Sequence, residues 1–531
     1  MIIVSSSIIL LLLFISAVLG LCPQNCSCDN DYQLAVNCYN VKLRYLPPLL
    51  HPGTQSLTLS KCQIEQLDPD VMELYPDMIH LDLSSNNISS LGNNIFRYQS
   101  KIRFLNLSNN NFSNIFLNSF QGLHKLQYLD LSSAKLQTIE LNALEHLAEL
   151  LELDLSHNLL RNLSFATFNG LKNLQKLRVA GNQIAYLDGR ISRTLPNLRI
   201  IDLSRNIITA IASDTFLGLN LITTIDLSAN FLKEIPIFGQ NNLINLKYLN
   251  MSSNKIKRTE PNSFRQLISL LELDLTKNEF PILPASAFDG LFRLQQLKLN
   301  EQLYLTEIQS GAFSGLASLE VLNLSCSHSL EYIDKDAFEV SHALRVFDVS
   351  FCALKTFPPT LFDWKRVAKL HLHGNPLHCN HELLTFLPDV LRLRSIHDVI
   401  CVTPDELYNI SISSLDTVEV TLEDTKRTLI ILCSILTALT VIIILVLISK
   451  SKSLTTKQQF CQNLSDRREC IFPEYYDSVI EFNTSSMYRG QNTFIDLLQS
   501  KSFYDKIPVN AALNHDNALL GETDCTYLSL K

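Results

Sequence analysis

The residues able to do chemistry fall into a few sets whose spacing limits what each can do. Cys22, Cys26, Cys28 and Cys38 follow the spacing C-x3-C-x-C-x9-C, and Cys379 and Cys401 stand much later in the chain. Such thiols serve as disulfides or as zinc ligands; an exported chain meets an oxidising compartment, which favours disulfides. Four cysteines allow three pairings, and spacing does not choose among them. His371, His373, His378 and His381 crowd together, but two take alternate strand positions and two flank Cys379, so surface and end packing account for them. There is no Gly-rich phosphate loop, nucleophile elbow or HExxH motif. We therefore expect a binding protein and not an enzyme, with no catalytic residue, no cofactor and no metal.

Two apolar runs decide where these residues sit. Ile8 to Leu21 has the length of a signal-peptide core and ends in small residues, so residues 1–20 are read as a cleaved export signal. Leu429 to Ser449 holds 21 residues without a charge, enough to cross a bilayer as a helix. Lys426 and Arg427 precede it; Lys450, Lys452 and Lys457 follow, in agreement with a cytoplasmic C-terminal side. The expected topology is single-pass at the plasma membrane with the N-terminus outside. With 46% hydrophobic and 18% charged residues and 15 Gly in 531, the chain is neither collagen, coiled coil nor disordered polymer. A net charge of −8 gives no reason to expect nucleic acid as a partner.

Between the two runs the pattern LxxLxLxxNxL recurs every 24 residues, as in LTLSKCQI, LDLSSNNI and LNLSNNNF. The Asn slot falls at Cys62, Asn86, Asn110, Ala134, Asn158, Asn182, Asn206, Asn230, Asn254, Asn278, Gln302, Ser327, Cys352 and Asn375, which makes 14 units. The two-residue alternation turns Leu81 and Leu83 inward and Asp82 outward, so each unit supplies one short strand of a parallel sheet. After the strand the chain turns sharply, and a buried Asn amide satisfies the backbone groups left below the surface. Cys62 and Ala134 cannot do this, so distorted or hydrated turns are expected there. Ten residues beyond the slot, Phe96, Phe120, Phe168, Phe216, Phe264 and Phe288 form a second inward column, continued by Phe313, Phe338 and Phe362. This pattern resembles the leucine-rich repeat family and implies a solenoid with a curved parallel sheet on its concave face and short helices or irregular turns on the convex face.

The outward slot between the strand leucines holds Asp82, Asp130, Asp154, Asp202, Asp226, Asp274 and Asp348, broken by Arg178, Lys298 and His371. The stripe either receives a basic patch of a partner, or calcium, or is only a solvated sheet face. Residues 22–428 carry 35 basic and 42 acidic side chains, so steering favours a cationic surface. Asn87, Asn106, Asn111, Asn162, Asn250, Asn323 and Asn409 are expected glycan acceptors; Asn25, between cysteines, also matches the motif. Sugar at Asn106, Asn250 and Asn323 would keep a partner from lying flat along the concavity. Cys62 and Cys352 fill inward slots as buried thiols, whereas Cys326, one place earlier, is expected to point outward as a free or intermolecular thiol.

The cysteine cluster at 22–38 resembles the N-terminal cap of extracellular leucine-rich repeat proteins, which implies Cys22 with Cys28 and Cys26 with Cys38. NPLHC and Cys401 resemble the C-terminal cap, with one disulfide in place of the usual two. The stretch LQQLKLNEQLYLTEIQSGAFSGLASLEVLNLSCSHSLEYIDKDAF, then LFDWK and NPLHC, is similar to the Tartan and Capricious group of insect adhesion proteins. That resemblance implies binding of a cell-surface or secreted protein in cell-cell recognition, with a second copy of the chain as another partner. The expected order is signal 1–20, cap 21–50, repeats 51–375, cap 376–403, juxtamembrane stalk 404–428, membrane helix 429–449 and tail 450–531. The 82-residue tail is too short for a kinase or for the signalling domain of Toll-like receptors and is expected to be mostly disordered. Tyr476, Tyr504 and Tyr527 each precede a bulky apolar residue by three places and resemble sorting or phosphotyrosine signals, with a clathrin adaptor or SH2-type protein as partner. The alternative function is a Toll-like or other ligand-sensing receptor acting through that tail.

Overall fold

A computed structural model describes residues 21–29, 34–188, 191–238, 243–260, 263–338, 343–415 and 417–462. The expected export signal, and Tyr476, Tyr504 and Tyr527 of the tail, lie outside the described residues. The chain divides into two units, Met1–Thr421 and Leu422–Lys531.

In the first unit every 24-residue period lays down one strand of a 16-stranded sheet. Fourteen repeat strands, from Ser56–Ser60 to Lys369–His371, stack in parallel around about 13 turns of a β-solenoid. Register is fixed by the leucines: Leu57 faces Leu81, Leu81 faces Leu105, and so on to Phe347 opposite Leu370. These inward positions are fully or almost fully buried, while Asp82 and its counterparts stay half-exposed. A one-residue slip would turn every leucine to solvent, so the period-two pattern admits one register.

The Asn column satisfies the turns as a ladder. Asn206 accepts the Ile184 N–H on Oδ1 at 3.1 Å, and its Nδ2 donates to Val179 O and Leu203 O, both at 3.0 Å. Each amide thus ties its own turn to the preceding one. The residue before the slot is left-handed in all 14 units, from Lys61 (φ 57°) to Gly374 (φ 73°), although only Gly181 and Gly374 are glycines there. A side chain in that region is costly, yet it is adopted with the same φ beside the amide-free slots Cys62, Ala134, Ser327 and Cys352, so the tight turn as a whole imposes it. Where the amide is missing at Cys62 and Ala134, a second left-handed residue follows at Gln63 (φ 61°) and Lys135 (φ 66°). The turns at Ser327 and Cys352, which also lack the Asn, show no such second residue. The Cys62 thiol replaces part of the function by donating to Cys38 O at 3.1 Å.

The phenylalanines stack into a buried spine. Their centroids are 6.4 Å apart for Phe96–Phe120, 6.1 Å for Phe264–Phe288 and 6.0 Å for Phe288–Phe313. Strands in the sheet repeat at about 4.8 Å. Turns spaced more widely at the spine than at the sheet bend with the sheet on the inside, whereas Phe313 and Phe338 close to 4.8 Å and tilt against each other. Phe238 joins the spine 6.2 Å from Phe216, an aromatic outside the regular column.

Both ends are covered. Cys22 is bonded to Cys28 and Cys26 to Cys38, and Ser27–Cys28 adds an antiparallel strand beyond Ala35–Tyr39. At the other end Cys379 is bonded to Cys401, and Trp364 packs among Phe347, Phe357, Phe362 and Phe386. Arg394 pins this plug by donating to the Trp364, Val367 and Val390 carbonyls. The segment expected to begin the stalk instead completes the cap: Ile412 is fully buried, its N–H donates to Val399 O, and Arg392 donates to Ser413 O. The expectation for Cys326 is also corrected. Expected to point outward, it is only 7% exposed. In the second unit the helix Thr417–Gln462 contains an apolar stretch, Lys426–Ile448, long enough to cross a membrane.

Candidate functional site

The concave side of the sheet is the largest ordered array of side chains with no layer packed over it. Its outward slot is constrained by the backbone. In Asp82, Asp130, Asp154, Asp202, Asp226, Asp274 and Asp348 the Oδ1 accepts the N–H two residues on, at 2.8–2.9 Å. Asn106, Asn250 and Asn323 do the same at 2.9–3.0 Å. This is an Asx turn at the end of each strand, which explains why Asp and Asn interchange in the slot. In each Asp one carboxylate oxygen caps the chain, and in Asp226 the second already accepts from Asn250. Arg178, Lys298 and His371 lack the acceptor and break the stripe.

Crowding along the stripe is electrostatic as well as steric. Burial pushes the Asp130 and Asp226 carboxyls up, and the charges of Asp154 and Asp202 on adjacent strands add to the rise. Asn250 relieves part of this by donating to Asp226 Oδ2 at 3.1 Å. The cationic breaks are matched by glutamates in the other outward column. Lys298 reaches Glu272 at 2.6 Å, while Lys176 and Arg178 reach Glu152 at 2.7 and 3.7 Å.

That second column was missed by the sequence reading, which followed only the slot between the leucines. Besides Glu152, Lys176 and Glu272 it carries His80, Phe104 and Tyr128, stacked face to face at 4.3 and 4.6 Å. The signal was present at a fixed place, two residues before each Asp or Asn. The face therefore has an aromatic stretch near its N-terminal end, an ion-paired middle and an acidic stretch at Asp202, Asp226 and Asp274. A depression of about 170 Å³ lies in the last, walled by Tyr248, Asp226, Asp274 and Lys298.

The other candidates are not brought together into one site. His373 approaches Asp398 at 3.5 Å and His378 Nδ1 meets Thr403 Oγ1 at 2.8 Å, contacts that hold the C-terminal end together. Among the described residues no group of three or more His, Cys, Asp or Glu is arranged to hold a metal ion. The acceptor asparagines Asn87, Asn111, Asn162 and Asn409 are exposed; Asn106, Asn250 and Asn323 are half-buried on the sheet.

A curved parallel sheet backed by an Asn ladder and a Phe spine defines the class: the leucine rich repeat model matches residues 52–112, 100–160, 135–184, 172–232, 222–280, 244–303 and 293–354, and the chain belongs to the leucine-rich repeat family. This solenoid is a protein-interaction scaffold. No curated protein matches the sequence. Among solved structures it is similar to a chain of the Drosophila Toll–Spatzle complex in its glycosylated form, with TM-score 0.53 and 19% identity over 68% of this chain and 57% of that one. The chain thus spans little more than half the length of that relative. It is also similar to the APL1 leucine-rich repeat domain (TM-score 0.53, 20% identity, 65% and 89% covered). A Leptospira interrogans leucine-rich repeat protein gives TM-score 0.51 and 22% identity, with 66% and 92% covered. Identities this low establish the shared fold alone.

Proposed function

We propose that the chain is a single-pass plasma-membrane protein whose N-terminal solenoid, held outside the cell, binds a protein partner in cell-cell adhesion or recognition. The observation that carries this reading is the uncovered outward face of the sheet, where seven of the 14 turns place an aspartate in the slot. Disulfides at both ends and the apolar stretch Lys426–Ile448 support the membrane topology. The similarity of the last four repeats to the Tartan and Capricious group supports adhesion through binding. The acidic stretch at Asp202, Asp226 and Asp274 favours a partner with a basic patch. A second reading, a ligand-sensing receptor signalling through residues 450–531, draws support from the fold shared with a chain of the Toll–Spatzle complex.

Cells expressing the full chain are mixed with cells that bind the purified solenoid, with and without residues 455–531. Clustering that survives the deletion supports adhesion. Loss of all activity on deletion refutes adhesion and supports signalling.

A further inference from the structure

Among the described residues a large cleft lies on the flank of the turns, away from the sheet. On the flank of the turns, Asn114–Ile115 pairs with Thr138–Ile139, and Leu163–Ser164 pairs with Leu187–Asp188. Among the described residues no pairing joins the two ladders. Gln137 and Thr138 donate their N–H groups to Ser113 O, but one turn later Arg161 and Asn162 make no such bond to Gln137. The turns part there and leave a cleft of about 660 Å³, within the range of small-ligand sites.

Its walls are mixed in character. Leu141 and Leu159 are 61% and 38% exposed, and Gln137, Thr138, Arg161 and Gln183 line the space between and around them. Asn162 also lines the cleft; it is exposed and opens the sequence Asn162-Leu163-Ser164, a glycan acceptor motif. Asn250, by contrast, has its amide committed to Asp226.

We propose that this cleft is the seat of an N-linked glycan carried by Asn162, its innermost N-acetylglucosamine residues lying against Leu141 and Leu159. The apolar faces of the sugar rings cover the two leucines, and their acetamide and hydroxyl groups meet Gln137, Thr138, Gln183 and the open backbone edge. The tether makes the local sugar concentration high, so weak contacts suffice. In the modification, Asn162 Nδ2 bonds to the anomeric carbon of a lipid-pyrophosphate-linked oligosaccharide. The bond from that carbon to the pyrophosphate oxygen breaks, Nδ2 loses one proton, and the lipid pyrophosphate leaves with the electron pair. The proposal rests on the first unit entering the secretory pathway, as argued above.

The full chain is expressed in a eukaryotic secretory host and its glycopeptides are measured by mass spectrometry, before and after peptide-N-glycosidase acts on folded and on denatured protein. Asn162 is expected to be occupied. Its sugar should leave the folded protein at least tenfold more slowly than those at Asn87 and Asn111, and at the same rate once denatured. Leu141→Ser with Leu159→Ser should bring release at Asn162 within about threefold of the other sites. Release from folded wild type at the rate of Asn87 and Asn111, or a bare Asn162 beside occupied neighbours, overturns the seat alone. Absence of sugar at every site overturns the secretory reading together with it.

Discussion

Asn206→Ala tests the ladder where it is most regular. Asn206 is 4% exposed and makes four bonds: Oδ1 accepts Ile184 N–H at 3.1 Å, and Nδ2 reaches Val179 O, Leu203 O and Ser204 O at 3.0–3.1 Å. The three carbonyls keep other donors: Asn182 serves Val179 O, Asn230 serves Leu203 O, and Gly181 N–H serves Ser204 O. Only the Ile184 N–H is stranded. An orphaned buried donor costs about 1–3 kcal/mol, and the loss of shared bonds adds about 1 kcal/mol, giving about 2–4 kcal/mol. Ala134 is the natural counterpart: Phe112 N–H lacks a partner among the described residues, so Ala134→Asn should stabilise by about 1 kcal/mol. Because a repeat array can open in parts, the assay is hydrogen exchange at Ile184 alongside urea unfolding. Exchange there should accelerate by about 30- to 1,000-fold in Asn206→Ala. A change below about threefold, with an unmoved urea midpoint, would refute the claim that the amide holds the turn.

Three further outcomes follow from other parts of the molecule. Gly122 has φ +105°, and a Cβ there would stand 2.1 Å from Phe96 O, so Gly122→Ala should lower stability by about 2–4 kcal/mol, measured by thermal unfolding. The Asp226 pKa is raised by burial, so its ionised form opposes folding, and the stability it contributes at low pH is lost as pH rises through the folded pKa. Asp226→Ser keeps a turn acceptor without the charge and should raise the unfolding midpoint at pH 7 relative to pH 3; equal effects at both would exclude the charge as cause. Replacing Asp202, Asp226 and Asp274 together by Ser, which removes the charge without creating a glycan acceptor motif, should slow association with a basic partner by about tenfold at low salt while leaving dissociation nearly unchanged. Surface plasmon resonance across a salt series checks this, and an unchanged on-rate would remove the acidic stretch from the interface.

What was legible in the sequence is what each turn asks of its neighbour at a constant offset. The strand leucines, the Asn slot and the Phe column recur every 24 residues because the same backbone groups and the same volume return with every turn. The left-handed residue before each slot was not legible, since Lys, Ser, His, Phe and Glu all occupy it, before slots with and without an amide.

Only the tertiary structure decided the features that depend on how far apart successive turns stand. Between Phe96 and Phe120 and from Phe264 to Phe313 the bend follows from 6.0–6.4 Å at the spine against about 4.8 Å at the sheet, a difference no single repeat encodes. Lys298 finds Glu272 across 26 residues because the two outward columns meet diagonally on adjacent strands. Ile412 is buried against the C-terminal end with its N–H on Val399 O, and the flank ladder breaks between Ile139 and Leu163 without any change of period. A repeating pattern specifies one turn and its nearest contact, whereas curvature, diagonal pairs and gaps arise only when the turns are stacked.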